Sequence, residues 1–247
     1  MNKARFLFSL FLVFCFSPVN LFGQVSQETR WGLGFNFDPR WRTPQGVKKL
    51  FDAANAKTFL LEGREVKVGV LRGRIYSGDW GFAFVYKKFN SGSVIDRSRC
   101  LVRMDDGSLR TIPDVVYLEG VSLMGIEAHK FVPFTTIKKR LQIGMNFGGG
   151  VASINGSATR RYAFVTAEFI PGPRPWDPPT IKTIWEDRVE KINGAKALLN
   201  KNISVLPLVK MQGVVAFIPS ANFKIKVASG INFPGTQIAE VSFAYFF

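Results

Sequence analysis

His129 is the only histidine in the chain, and histidine is the side chain most suited to proton transfer near neutral pH. A Ser-His-Asp device would have to run through it, yet no G-x-S-x-G element lies nearby. Followed by Lys130 and Phe131, it reads instead as a residue near a strand end, facing an interface. Metal chemistry has equally little to draw on. One histidine beside Cys15 and Cys100 cannot build a zinc set, and Cys15 lies in a segment expected to be removed. Asp105-Asp106-Gly107 has the chemistry of a hairpin turn rather than of a carboxylate pair. Gly148-Gly149-Gly150 lacks the Lys-Ser/Thr and the helix of a phosphate cradle, so its glycines are expected near a strand end, where a wall bends or passes close to a plug. No catalytic residue, metal or cofactor is assigned, and the chain is read as a non-enzyme.

The charged residues are more informative. The 247 residues carry a formal net charge of +15, which brings nucleic acid to mind first. The N-terminus argues otherwise. Lys3 and Arg5 precede an apolar run from Phe6 to Phe16, broken by Pro18 and Asn20, as in a secretory signal peptide. Cleavage after Gly23 would leave residues 24–247, starting at Gln24, with the charge lowered by two to +13. Leu12-Val13-Phe14 lacks the small residues that lipoprotein processing at Cys15 needs. Once Cys15 is removed, Cys100 has no partner for an internal disulfide. An exported, basic chain points to anionic lipid, lipopolysaccharide phosphates or anionic solutes, with no nucleic acid. Arg97, Arg99, Arg103 and Arg110 in the 90–114 region, with Arg160 and Arg161 ahead of a later strand, suit bidentate phosphate contacts at an outer rim. A merely solvated basic loop is the alternative.

Past residue 23 there is no apolar run of about 18 residues, so no transmembrane helix is expected, and a membrane could be crossed only by a closed barrel. The patterning is that of strands. In Leu141–Gly148 every odd position is apolar and every even one polar or glycine. In Phe223–Phe233, Phe223, Ile225, Val227, Ile231 and Phe233 oppose Lys224, Lys226 and Asn232, and in Trp80–Lys87 aromatics alternate with small residues. Further strands are expected at Trp31–Phe37, Val66–Tyr76, Val115–Phe131, Tyr162–Ile170, Leu206–Ile218 and Gln237–Phe247, several joined by Gly-, Pro- or Asn-containing turns.

These elements predict an all-β, antiparallel up-and-down barrel of about 8–10 strands with long loops at about 39–64, 90–114 and 172–204. A helix is expected from about Ile181 to Leu199, with Ile184, Trp185 and Val189 sharing a face, and a shorter one at Gly46 to Ala56. The nine strands are one short of or one beyond the even number that bacterial barrels require. A hairpin at Cys100–Met104 turning at Asp105-Asp106-Gly107 would give ten, and loss of Trp31–Phe37 would give eight. If Phe223 and Ile225 face lipid, Lys224, Lys226 and Asn232 face the lumen, joined by Lys210 and Gln212, and by Gln142 and Asn146. Such a lumen is basic and favours anions if open; the other reading pairs these lysines with carboxylates such as Glu240 inside a closed barrel.

The chain ends on Val241, Phe243, Tyr245 and Phe247 at alternate positions. This resembles the C-terminal assembly signal of bacterial outer-membrane barrels, and the sequence after residue 23 resembles, in pattern, the small OmpA-domain, OmpX and OmpW kind. The resemblance implies a monomer in the outer membrane, inserted by the assembly machinery, which reads the last strand by β-augmentation. It carries no ligand. The function expected is a structural or interaction role or weak small-solute passage. The alternatives are an anion-preferring porin or transporter, a lipid-modifying enzyme, and a soluble periplasmic barrel binding an apolar ligand, which would carry its aromatics inside.

Overall fold

The structure, a computed structural model, describes residues 29–42, 56–98, 101–105, 107–172, 174, 180–201 and 203–247. The expected signal peptide at 1–23 and its cleavage site, the expected helix at Gly46 to Ala56 apart from its last residue, and Arg99 and Cys100 lie outside the described residues. Ala56 is buried and belongs to no helix.

In chain order the strands are β1 (Arg30–Arg42), β2 (Thr58–Leu60), β3 (Glu62–Gly73), β4 (Asp79–Phe89), β5 (Val94–Asp96), β6 (Leu101–Arg103), β7 (Leu109–Thr111), β8 (Asp114–Tyr117), β9 (Val121–Ile137), β10 (Leu141–Ile170), β11 (Thr180–Asn193), β12 (Val205–Ser220), β13 (Phe223–Phe233) and β14 (Gly235–Phe246); a helix, α1, spans Gly194–Leu199. Eight of the strands form a closed antiparallel barrel in the order β1, β3, β4, β9, β10, β12, β13, β14, with β14 hydrogen-bonded back to β1. Closure leaves the wall without an unpaired edge.

Eight is reached by a route the sequence did not suggest. Leu141–Gly148 and Tyr162–Ile170 are two parts of the single 30-residue strand β10, so Trp31–Phe37 keeps its place, pairing with both β14 and β3. Gly148 to Gly150 accordingly lie within this strand and not near its end. Val115–Phe131 divides into β8 and β9, and the hairpin turning at residues 105–107 forms β6 and β7, a sheet separate from the barrel.

The long connections all lie at one end of the barrel, where β13 and β14 are also joined tightly through Pro234. At the end holding Arg30 and Phe247, β3–β4, β9–β10 and β12–β13 are joined by tight turns. At the other end the chain makes its long excursions, which build an outer platform. There β10 runs on past the wall and pairs with β8 on one side and with all 14 residues of β11 on the other, and β8 continues to β5 and β2.

The expected helix from Ile181 is therefore mostly strand, and only Gly194–Leu199 is helical. Thr180 to Asn193 is rich in β-branched and aromatic residues, which favour a strand wherever a partner edge is available, and β10 supplies that edge. As a consequence Ile184 lies on the opposite face of β11 from Trp185 and Val189. The helix starts where Asn193 caps it, its side chain accepting from the Ala195 N–H at 2.8 Å, and ends at Asn200 in the left-handed conformation.

The barrel wall alternates strictly. On β12 every second residue from Leu206 to Ile218 is buried, while Val205, Val209, Met211, Val215 and Phe217 are exposed. Around the outside, register partners Phe243, Phe35, Val68, Phe84, Ile126 and Val151 set apolar groups side by side across six strands, and Ile126 is 64% exposed. The buried apolar residues form two end seals and a small third cluster of Phe131, Val214, Ala216 and Ala228. Leu71, Ile75, Ile218, Ala244 and Phe246 close the tight-turn end. Trp41, Phe59, Phe89, Leu123, Leu198 and Leu206 belong to the larger cluster under the platform.

Candidate functional site in the barrel interior and outer platform

Between the two seals the interior is filled with charge. Lys67 (β3) places its Nζ 2.8 Å from Glu65 Oε1 and 2.7 Å from Glu127 Oε2 (β9), while Lys87 (β4) lies 2.6 Å from Glu65 Oε2. Across the barrel, Lys210 Nζ (β12) is 2.9 Å from Glu240 Oε1 (β14) and 3.7 Å from Glu127 Oε1. Amides add donors to two of these carboxylates. Gln212 donates to Glu240 at 3.0 Å, Asn36 to Glu240 at 2.7 Å, and Asn232 to both oxygens of Glu65 at 3.0 Å. A second layer nearer the tight turns holds Asp79, which accepts from Lys224 at 3.1 Å and from Lys226 at 2.5 Å. Lys224 also donates to the Ser77 carbonyl, and both lysines lie over the face of Phe131, Lys226 at 4.7 Å.

The residues placed in the lumen from sequence are thus all buried, but they form no single site. Lys210, Gln212 and Asn232 join the larger network, and Lys224 and Lys226 the smaller. Gln142 is fully buried and reaches Thr136 Oγ1 at 3.5 Å, and Asn146 is buried on the same strand. Five buried lysines, Lys67, Lys87, Lys210, Lys224 and Lys226, stand against five buried carboxylates, Asp38, Glu65, Asp79, Glu127 and Glu240.

Glu65, Lys67, Asp79, Lys87 and Glu127 escaped the sequence reading although the signal was present. Extending the parity of Val66, Val68 and Val70 puts Glu65 and Lys67 inside, and the small face of Ala83 and Val85 leads to Lys87. Asp79 follows Ser77-Gly78, a turn-like pair that masks its place as the first residue of β4.

His129 is not at a strand end. It lies within β9 on the inward face, buried, its Nδ1 without a hydrogen-bond partner, beside a void of about 10 Å³ lined also by Gly34, Asn36, Lys67, Gly69, Leu71 and Ala83. Such a void accommodates about one water molecule. Among the described residues, no group of three or more His, Cys, Asp or Glu is arranged to hold a metal ion.

The platform disperses the arginines expected to act together. Arg97 is half-buried and donates to the Ala197 carbonyl at 2.6 Å, tying β5 to α1. Arg103 and Arg110 are exposed but occupy non-equivalent register positions on the β6–β7 hairpin, with Arg103 opposite Leu109 and Arg110 opposite Val102, so they point to opposite faces. Arg160 lies inside β10 rather than ahead of a strand. It makes a bidentate pair with Asp114 at 2.7 and 3.0 Å and reaches Glu190 at 3.1 Å. Arg97, Asp114, Arg160 and Lys196 line a cleft of about 380 Å³ between β8, β10 and α1. Along the β10–β11 ribbon, Arg160 lies over Tyr162 at 4.5 Å and Arg188 over Phe164 at 4.8 Å.

In the last strand, Phe243 and Tyr245 are exposed on the outer wall, with Phe243 stacked near Phe223 at 6.4 Å, while Ala244 and Phe246 are buried. Val241 is half-buried, and Phe247, beyond the strand, is exposed and donates its N–H to the Trp31 carbonyl at 2.9 Å. These positions define a closed eight-stranded antiparallel barrel with a charged interior and an apolar exterior. No protein-family model matches the chain, and no curated protein matches it.

Proposed function

We propose that this chain is a structural or interaction barrel of the bacterial outer membrane, exported by its N-terminal segment. The observation that carries the reading is the inversion of the wall. Phe35, Val68, Phe84 and Ile126 face outward on four consecutive strands, while lysines and carboxylates fill the inside. In water such an exterior forfeits about 25 cal/mol for every Å² of apolar surface left exposed; in hydrocarbon it is the favoured arrangement. A soluble barrel built around an apolar ligand needs the opposite polarity.

The interior favours a scaffold over a conduit. A passage would have to be opened through paired charges, two apolar seals and a void of about 10 Å³. With the tight turns on the periplasmic side, the platform faces outward and is the surface available for contact. This reading involves no catalytic cycle.

Outer-membrane fractionation combined with a heat-modifiability gel tests it. The chain is expected in the outer-membrane fraction, with an unboiled band that shifts on boiling. A soluble periplasmic product without a shift would overturn the reading.

A further inference from the structure

At the tight-turn end of the barrel the exposed charged side chains among the described residues are all basic. Arg30, Arg72, Arg74, Lys138, Lys139 and Arg140 are exposed there. Among the described residues, no Asp or Glu side chain is exposed at that end; Asp79 is enclosed by Lys224 and Lys226. The other described carboxylates outside the barrel interior, such as Glu62, Asp114, Glu168 and Glu190, lie at the platform end. Arg72 sits just where the wall of β3 stops being apolar. Trp31, Arg72 and Trp80 are successive register partners on β1, β3 and β4, and the Arg72 guanidinium lies 5.2 Å from the centre of the Trp31 ring. A stacked guanidinium between two indoles at the edge of an apolar belt is placed for a phosphate at headgroup depth.

The β9–β10 turn supplies an independent observation. Lys138 and Lys139 both have positive φ, 47° and 55°, and the Arg140 N–H closes the turn on the Ile137 carbonyl at 3.0 Å. Paired left-handed positions at a hairpin tip favour Asn and Gly; two lysines here keep two cations at the tip at the expense of backbone strain.

Building on the membrane reading above, we infer that this rim is a binding surface for the phosphates of anionic phospholipid headgroups, in the leaflet that meets the tight turns. The anionic-lipid contact thus belongs at this end and not with the arginines of the platform.

The full chain, folded into phosphatidylcholine vesicles containing brominated phosphatidylglycerol or brominated phosphatidylcholine, provides the test. The readout is quenching of the fluorescence lost in Trp31→Phe/Trp80→Phe. The expected result is a phosphatidylglycerol preference of about fivefold that falls to near one in Arg72→Gln/Arg74→Gln/Lys138→Asn/Lys139→Gly. Two of those changes relax the turn, so lost preference with a retained heat-shifted band cannot be ascribed to misfolding. Arg103→Gln/Arg110→Gln is expected to leave the preference unchanged. Equal quenching by both lipids, a preference that survives the fourfold variant, or one abolished by inorganic phosphate would overturn the inference. Absence of any quenching and of the heat-shifted band would overturn the membrane reading itself.

Discussion

Lys210 and Glu240 meet at 2.9 Å across the barrel interior although β13 separates their strands in the wall. The contact spans a chord of the barrel and not a neighbouring pair. It fixes the curvature of three strands at once, and its partner on the far side, Glu127, links it to Lys67 on β3.

Removing one member of this chord is expected to cost far more than removing both. Glu240→Gln leaves Lys210 with only the more distant Glu127 and is expected to destabilise the barrel by about 3–5 kcal/mol; Lys210→Met/Glu240→Leu is expected to recover most of that loss. Urea unfolding in the detergent that preserves the folded band measures both. A double variant no more stable than Glu240→Gln would refute the coupling.

Asp79 serves two lysines from one carboxylate, so Asp79→Asn leaves two buried cations underpaired. Its expected loss is at least that of Glu240→Gln, again about 3–5 kcal/mol. The same unfolding series decides it, and a loss under about 1 kcal/mol would show that water reaches the lower layer.

Planar-bilayer recordings of the wild-type chain are expected to show no stable unitary steps, because both ends are sealed. Stable anion-selective steps that shrink in Lys224→Gln/Lys226→Gln would replace the scaffold reading with the porin reading.

Backbone spacing separates two glycines. A Cβ on Gly156, whose φ is +88°, would lie 2.1 Å from the Gly120 carbonyl, whereas one on Gly213 would meet nothing closer than 3.9 Å. Gly156→Ala is therefore expected to destabilise by about 1–3 kcal/mol and Gly213→Ala by less than about 1 kcal/mol. Comparing their unfolding midpoints provides the check.

Helix α1 depends on its cap. Asn193→Ala is expected to cost about 1 kcal/mol locally, read as faster proteolysis near Gly194–Leu199 with an unchanged heat-shifted barrel band.

The barrel was legible in the sequence because a two-sided wall imposes period-two patterning on Leu141–Gly148, Phe223–Phe233 and the last strand, whatever their partners. The platform was not, for a physical reason. Ile181, Ile184, Trp185 and Val189 satisfy a helical face as readily as a strand, and the edge of β10 that decides between them lies elsewhere in the sequence. Charge pairing was half legible. Parity put Lys210, Lys224 and Lys226 inside, but their counter-ions come from strands distant along the chain, and Asp79 was hidden by its turn-like neighbours. The arginines of the 90–114 region were grouped by sequence proximity, which a β-hairpin undoes by alternating its faces.

The length of β10 has a mechanical consequence. Its outer part and the 14 residues of β11, at about 3.3 Å each, make an arm of roughly 45 Å. No flexible tether joins this arm to the wall. Gly156, just before the first residue paired with β11, has a positive φ of 88° and passes close to the Gly120 carbonyl. A pull at the ribbon tip is therefore transmitted through continuous strand to the β9–β10–β12 seam of the barrel.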